Sequence, residues 1–309
     1  MTENLTSLKN AVSVEEGDLQ PKKKKMSLQK KKRIIQKTIS YFFLVVFSLF
    51  FLFPLIVMVC RSFFTTTESL KIGAGLIPRD GWYFKSYAEA LDSSFLRYFG
   101  NTLIVILANV IGQPLTAAMA AYAFTKVKFK GRKIIFTTAM CTIMLPGILT
   151  MIPVYKIFTD IGWIDTLLPI TVPAFFGGGF LNIFLIMQFI RGLPKEMDEA
   201  AIIDGANVLQ LMFRITFPLI LPVISLVAVQ SFFFVWNDFM GPLMYITDES
   251  YLTLPVGIYN KFFTAITPLE SVPNVQMATG VLIMLPPAVV FMIFQKQLVE
   301  GVTFTGLKT

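Results

Sequence analysis

The sequence predicts an all-α membrane protein with six transmembrane helices and both termini in the cytoplasm. Composition is the first sign. Of 309 residues, 55% are hydrophobic and 15% charged, whereas soluble globular chains are about 25% charged. The mean hydropathy is +0.67. The second sign is a set of six uncharged runs, each long enough for the ~20 residues that cross a bilayer core. They are Thr38–Cys60, Tyr98–Thr125, Ile134–Tyr155, Thr166–Ile190, Ile215–Asn237 and Ser271–Gln295. The third is charge alternation. Segments 1–37, 126–133, 191–214 and 296–309 carry 20 Lys and Arg in 83 residues, and the intervening 61–97, 156–165 and 238–270 carry 7 in 80. Cytoplasmic segments hold the basic excess, so the first set is cytoplasmic.

Taken in order, residues 1–37 read as a basic tail and residues 38–309 as the transmembrane domain. The tail holds ten basic and four acidic residues. Runs such as Lys22–Lys25 suit a solvated segment resting on anionic headgroups. A nucleic-acid arm is the alternative, and no nucleic-acid partner is expected. The first span is too long for a cleaved signal peptide, and a long head precedes it. In the fourth span, Gly177–Gly179 suit close helix packing more than a break. In the sixth, Pro286 and Pro287 predict a kink. Between the fifth and sixth spans, an outer loop over 238–273 contains Asn260-Lys261-Phe262-Phe263 and Glu270.

Several chemistries are excluded. The chain has no His, which removes the usual general base and the commonest metal ligand. Cys60 and Cys141 both sit in apolar stretches and imply neither a zinc site nor a disulfide framework. There is no Gly-x-x-x-x-Gly-Lys-Ser/Thr nucleotide loop. The six runs carry no acid to hold a coupling ion, unlike the usual ion-coupled transporter. No catalytic residue, metal site or bound cofactor is expected in this chain, and energy for transport comes from a partner. A stand-alone secondary transporter and an intramembrane enzyme are the rivals; the second lacks a nucleophile–base pair.

The cytoplasmic segment 191–218 is the most informative. Pro194 suits the first turn of a helix, and Glu196, Asp198 and Glu199 follow as acids complementing its dipole. Gly205 can end that helix with positive φ. A second short helix then runs from Val208 toward the fifth span. Ala200, Ala201 and Gly205 read as one small-residue face open to close approach.

The spacing Glu-Ala-Ala, three residues, Gly, nine residues, Ile, one residue, Phe-Pro spans Glu199 to Pro218. It resembles the "EAA" loop of the membrane subunits of bacterial ABC importers, with Phe217 where that pattern has Leu. Asp204-Gly205-Ala206 adds to the match. Further stretches are similar to the second permease subunit of maltose-type oligosaccharide importers. They are Asn101-Thr102-Leu103-Ile104-Val105, Ala120-Ala121-Tyr122-Ala123-Phe124, Pro146-Gly147, Trp236-Asn237-Asp238-Phe239, Leu252-Thr253-Leu254-Pro255-Val256-Gly257 and Lys296-Gln297-Leu298-Val299-Glu300-Gly301.

The resemblance implies the six-helix type I importer permease fold and a role in sugar import. It implies a coupling helix around Glu196, Glu199, Ala200, Ala201, Asp204 and Gly205 that docks on an ATPase. The partners it implies are a second, homologous permease, two ABC ATPase subunits holding ATP and magnesium, an extracytoplasmic solute-binding protein and a sugar. Asn182, Asn237 and Asp238 are the candidates for the translocation pathway, the alternative for Asn237 and Asp238 being a helix cap. Asn260, Lys261, Phe262 and Glu270 are the candidates for contact with the binding protein, the alternative being a solvated connector. Another solute class, such as amino acids, is the runner-up within the family.

Overall fold

A computed structural model describes residues 28–73, 75–263 and 272–306. The Lys22–Lys25 run, Glu270 and the Leu307-Lys308 end of the chain lie outside the described residues. The described chain is helical, without a β-strand. It divides into two units, one ending at Ile56 and one beginning at Val57. The described part of the first unit is the helix α1 (Leu28–Ser62) as far as Ile56, with Pro54 inside it.

In the second unit α2 (Ser93–Lys126) is central. Its N-terminus is capped by Asp92, whose carboxylate accepts the Phe95 N–H at 2.9 Å. Its buried positions recur every three or four residues, from Phe95 and Tyr98 to Ala121 and Tyr122, the stripe expected of a helix packed along its whole length. α3 (Arg132–Ile143) and α4 (Gly147–Asp160) follow. After a broken stretch come α5 (Phe180–Arg191), α6 (Glu196–Ile203), a short helical stretch over 208–219, and α7 (Leu221–Asn237). α8 (Leu254–Phe263) and α9 (Pro273–Gly306) complete the unit.

Among the described residues, four helices are individually long and apolar enough to cross a membrane: Lys32–Ser62, Ser93–Lys126, Leu168–Arg191 and Pro273–Gln297. Six spans result if two bent pairs each count once. The run Ile134–Tyr155 is not one straight helix: α3 and α4 meet at 108°. Pro146 explains this, because proline disfavours helical geometry at the residue before it and supplies no N–H. The 208–219 stretch meets α7 at 74°, at Ile220 between Pro218 and Pro222. By contrast, α9 continues as helix through Pro286 and Pro287.

The fourth span departs most from expectation. It runs as Leu168–Thr171, then a 3₁₀ turn Val172–Phe176, then α5. Gly177, Gly178 and Gly179 have φ of +88°, +59° and +104°, a conformation that L side chains rarely adopt. These glycines make a break, not merely a close contact.

The segment after α7 is not a plain connector. It forms a helix Met240–Tyr245, a 3₁₀ turn Glu249–Tyr251 and α8, and α2 pins it. Asn101 donates to the carbonyls of Ser250 and Leu252 at 2.8 and 3.0 Å, and Thr102 Oγ1 accepts the Leu254 N–H at 2.8 Å. From the loop before the fourth span, Asp165 accepts from the Thr247 hydroxyl and N–H at 2.6 Å each and from the Asp248 N–H at 3.1 Å. Those donors, the Thr247 hydroxyl foremost, hold its carboxyl below the usual range. Buried Asn274 ties α9 to the 62–86 loop, donating to the Phe64 carbonyl at 3.0 Å and meeting Ser86 Oγ at 2.9 Å.

Gly257 faces the ring of Tyr98 so closely that a Cβ there would overlap it. This is the packing reason for glycine at the end of the Leu252–Gly257 stretch. Gly257→Ala forces the ring or α8 to shift, and overpacking of this kind costs about 1–3 kcal/mol. The expected outcome is a lower unfolding temperature of the detergent-solubilised protein than for Gly280→Ala, whose Cβ would meet the flexible tip of Met58. Equal temperatures for the two variants would refute the packing account.

Candidate functional site

At one end of α2 lies the 191–218 segment. Pro194 sits just before the N-cap Lys195, and Glu196, Asp198 and Glu199 occupy the first turn of α6. Gly205 ends the helix at φ +82°. Asn207 then opens the next stretch with a capping box: its side chain accepts the Gln210 N–H, and Gln210 returns the bond to the Asn207 N–H, both at 2.9 Å. The chain proceeds through a π-helical turn, Leu211–Thr216, to the bend at Ile220.

The segment has an inner and an outer face. Asp198 pairs with Lys126, the last residue of α2, at 2.5 Å, with both side chains largely covered. Ala201 packs into a cluster with Ala121 and Tyr122 of α2, Ile190 of α5, Leu211, Met212 and Val223 of α7. Ala200 and Gly205 are exposed instead. The single small-residue face over Ala200, Ala201 and Gly205 is therefore split, because adjacent helix residues point about 100° apart. Glu196, Glu199 and Asp204 are exposed, together with Met197, Ile202, Ile203, Val208 and Leu209.

Midway along α2 a polar stripe separates two apolar clusters. The cluster toward its N-terminus ends at Ile106, and the cluster toward its C-terminus begins at Ala117. Between them Asn109, Gly112, Gln113 and Thr116 follow helical spacing and face the broken fourth span. Asn109 donates to the Ile170 carbonyl at 2.9 Å, and Thr116 Oγ1 accepts the Gly177 N–H at 3.0 Å. A Cβ on Gly112 would lie 3.2 Å from the Ala174 backbone, and one on Gly178 would lie 2.5 Å from the Gln113 side chain. Gln113 Nε2 donates to Asn109 Oδ1 at 2.6 Å, and its Oε1 lies 2.8 Å from the Ser231 hydroxyl of α7 and 3.5 Å from Asn182 Nδ2 of α5.

A cavity of about 310 Å³ opens here, lined by Asn109, Gln113, Gly178, Asp238 and Tyr245 among mostly apolar neighbours. Asp238 has two roles: its Oδ1 accepts the Gly241 N–H at 3.0 Å as a turn cap, and its carboxylate also lines the cavity. Asn182 reaches the same network through Gln113 and the Gly178 carbonyl. Asn237 does not line the cavity, and its amide donates back to the Phe233 carbonyl at 2.7 Å. The sequence reading missed Asn109, Gln113, Thr116 and Ser231. The signal was available for the first three, as amides and a hydroxyl at positions i, i+4 and i+7 of an apolar run.

At the other end of α2, two of the outer candidates serve the fold. Lys261 Nζ is 2.7 Å from Asp92 Oδ2. Partial burial pushes the Asp92 carboxyl up, but the Lys261 bond, the Phe95 N–H and the Ser94 hydroxyl outweigh it, and the net displacement is downward. Phe262 is buried against Ala90, Val275 and Ala278. Phe262 is thereby placed in the core, whereas Lys261 holds the helix cap while its side chain stays partly exposed. Asn260 is exposed on α8 beside Tyr259 and Phe263. Among the described residues no cluster of His, Cys, Asp or Glu is arranged to hold a metal ion.

Comparison with known proteins gives this arrangement a context. The chain is 30% identical over 280 residues to the inner membrane ABC transporter permease protein YcjP of Escherichia coli (strain K12), covering 90% of this chain and 98% of that protein. It is 28% identical over 265 residues to the arabinooligosaccharides transport system permease protein AraQ of Halalkalibacterium halodurans, covering 83% and 91%. Its fold matches a chain in the crystal structure of a bacterial ABC transporter involved in the import of the acidic polysaccharide alginate. The TM-score there is 0.76 at 22% identity, over 88% of this chain and 98% of that one. A family of transport proteins matches residues 112–304, which include Gly112, Gln113 and Thr116 of the polar stripe, the broken span and the 191–218 segment, and the chain belongs to that family, the binding-protein-dependent transport system inner membrane components.

Proposed function

We propose that this chain is one permease subunit of an ATP-driven sugar or oligosaccharide importer, forming half of the translocation pathway. The segment 191–218 is its coupling element toward an ATPase. The observation that carries the coupling role is the two-faced build of α6. Its inner face is fixed to α2 by the Lys126–Asp198 pair and Ala201. Its outer face presents Glu196, Glu199 and Asp204 around exposed apolar side chains such as Ile202 and Ile203. Apolar side chains bordered by charge are a protein-docking surface, and acids fix orientation against cationic groups across the contact.

The mechanism follows from the connections. ATP and magnesium bind on two partner ATPase subunits, whose closure displaces α6. The Lys126–Asp198 pair passes that displacement to α2, and the 208–219 stretch passes it to α7. Both helices border the cavity at the break in the fourth span. A second, homologous permease supplies the other wall, and this chain performs no covalent chemistry. Asn182 and Asp238 belong to the pathway; Asn237 fits better as a backbone-bonded residue at the helix end. The name of the arabinooligosaccharide relative supports a sugar as solute, and the family's dependence on a binding protein supports an external delivery partner. Asn260, with Tyr259 and Phe263, is the face of α8 offered to that partner. The 126–133 and 191–218 segments lie in the cytoplasm, as the basic excess there requires.

Two experiments test this. Glu199→Lys places a cation where an acid faces the ATPase, and like-charge placement at an interface costs several kcal/mol. The expected outcome is ATPase association weakened at least about tenfold and uptake lost, with membrane insertion unchanged. Association and uptake at the level of the unmodified protein would remove the coupling assignment. For topology, Cys60 and Cys141 are replaced by Ser, and single cysteines are placed at Lys130 and Asn260, both exposed positions. In whole cells, an impermeant maleimide is expected to label the position-260 variant and spare the position-130 variant; the reverse pattern overturns the orientation.

A further inference from the structure

The break in the fourth span requires an explanation beyond fold. Inside a bilayer, irregular backbone is tolerated only where it is covered by protein or borders a polar cavity. Here both conditions meet. Asn109 and Thr116 satisfy the backbone on the α2 side. The other side of the break, at Gly178 and Gly179, faces the cavity of about 310 Å³. That volume is at the lower end of the roughly 300–1,000 Å³ of small-molecule sites, which are mainly apolar with a few placed polar groups.

The polar groups at this cavity are of a particular kind. Asp238 supplies an anionic acceptor, Asn109 and Gln113 supply amides that both donate and accept, and Tyr245 supplies a phenol. Tyr245 is held in place by stacking on Tyr155, with ring centroids 6.2 Å apart, and by the edge of Phe158 at 5.3 Å. Phe234 adds an exposed aromatic face. No Lys or Arg is among the described lining residues.

We infer that this cavity is the chain's own solute-contact site and that it takes a neutral hydroxylated ring, an uncharged sugar unit, in preference to an acidic one. Sugar hydroxyls donate to Asp238 and exchange hydrogen bonds with the two amides, and the C–H face of the ring lies against the aromatic side chains. A carboxylate with no nearby cation repels a uronate. The inference rests on the sugar-importer reading and adds to it the residues and the charge class of the solute.

The test uses the whole transporter, this chain with its partner permease, ATPase and binding protein, reconstituted in liposomes. ATP-dependent uptake of maltotriose, raffinose and arabinotriose is compared with that of a guluronate trimer. In a background lacking Cys60 and Cys141, Phe234→Cys is reacted with a maleimide with and without the transported sugar. The expected result is uptake of at least one neutral trisaccharide, none of the guluronate trimer, and slower labelling in the presence of that sugar. Asp238→Asn keeps the turn cap to Gly241 and removes the charge. It is expected to raise the sugar concentration for half-protection by about tenfold, the loss of one charge-assisted bond, and to admit the guluronate trimer. Neutral sugar uptake without protection at position 234 overturns the site and leaves the importer reading standing, as does uptake of guluronate alone. Protection that Asp238→Asn leaves within twofold overturns the role of Asp238. Uptake of none of the four overturns the sugar-importer reading itself.

Discussion

Backbone hydrogen bonding inside a bilayer is the constraint on which the rest of the second unit depends. An orphaned carbonyl or amide in hydrocarbon costs several kcal/mol. The fourth span nevertheless leaves helical geometry for three consecutive glycines. It can do so because α2 presents the stripe Asn109, Gly112, Gln113 and Thr116 to it. Asn109 answers the Ile170 carbonyl, Thr116 answers the Gly177 amide, Gly112 permits the approach and Gln113 fills the space that a side chain at 178 would need. Ser231 and Asn182 then tie α7 and α5 to the same glutamine. Three helices converge on one amide at the point where the fourth breaks.

That convergence divides α2 into three working lengths. Its first third is clamped to the 246–257 segment by Asn101, Thr102 and the Tyr98–Gly257 contact. Its middle faces the cavity. Its last third packs with α5, α6 and the start of α7 and ends on the Lys126–Asp198 pair. A helix held in this way joins the 191–218 segment to the cavity and to the far end of the unit. Pro114 lies inside this helix, which nevertheless runs unbroken from Ser93 to Lys126. The sharp bends of the unit lie elsewhere, at Pro146 between α3 and α4 and at Ile220 before α7.

Much of this was legible in the sequence, because hydrophobic runs and positive charge are read one residue at a time. The extents of the α2 and α9 spans, the acids opening α6 and the positive φ of Gly205 all follow from local rules. The failures share one cause. Whether a glycine run packs or breaks a helix depends on what stands opposite it: Gly177–Gly179 break where α2 offers replacement bonds. Likewise, Lys261 reads as a surface cation until Asp92, far away in sequence, is placed beside it. Phe262 reads as an exposed aromatic until Ala90 and Ala278 cover it. Ala200 and Ala201 look equivalent as letters, and only the packing of α6 shows that one faces inward and the other outward.

The same distinction separates the two polar sites. At α6 the acids divide by neighbour: Asp198 meets Lys126 and is spent on the fold, while Glu196, Glu199 and Asp204 face out. At the cavity a single side chain carries both duties, because Asp238 uses one oxygen to cap the turn to Gly241 and still lines the opening. Capping fixes the carboxylate in place without neutralising it, since the Gly241 amide is a dipole and not a charge. On the solute-site inference, a fixed carboxylate with no Lys or Arg among the described lining residues is a selective element: it accepts hydrogen bonds from neutral hydroxyls and repels anions at no further conformational cost. The turn after α7 thereby both holds Asp238 at the cavity and leads the chain into the 246–257 segment clamped to α2.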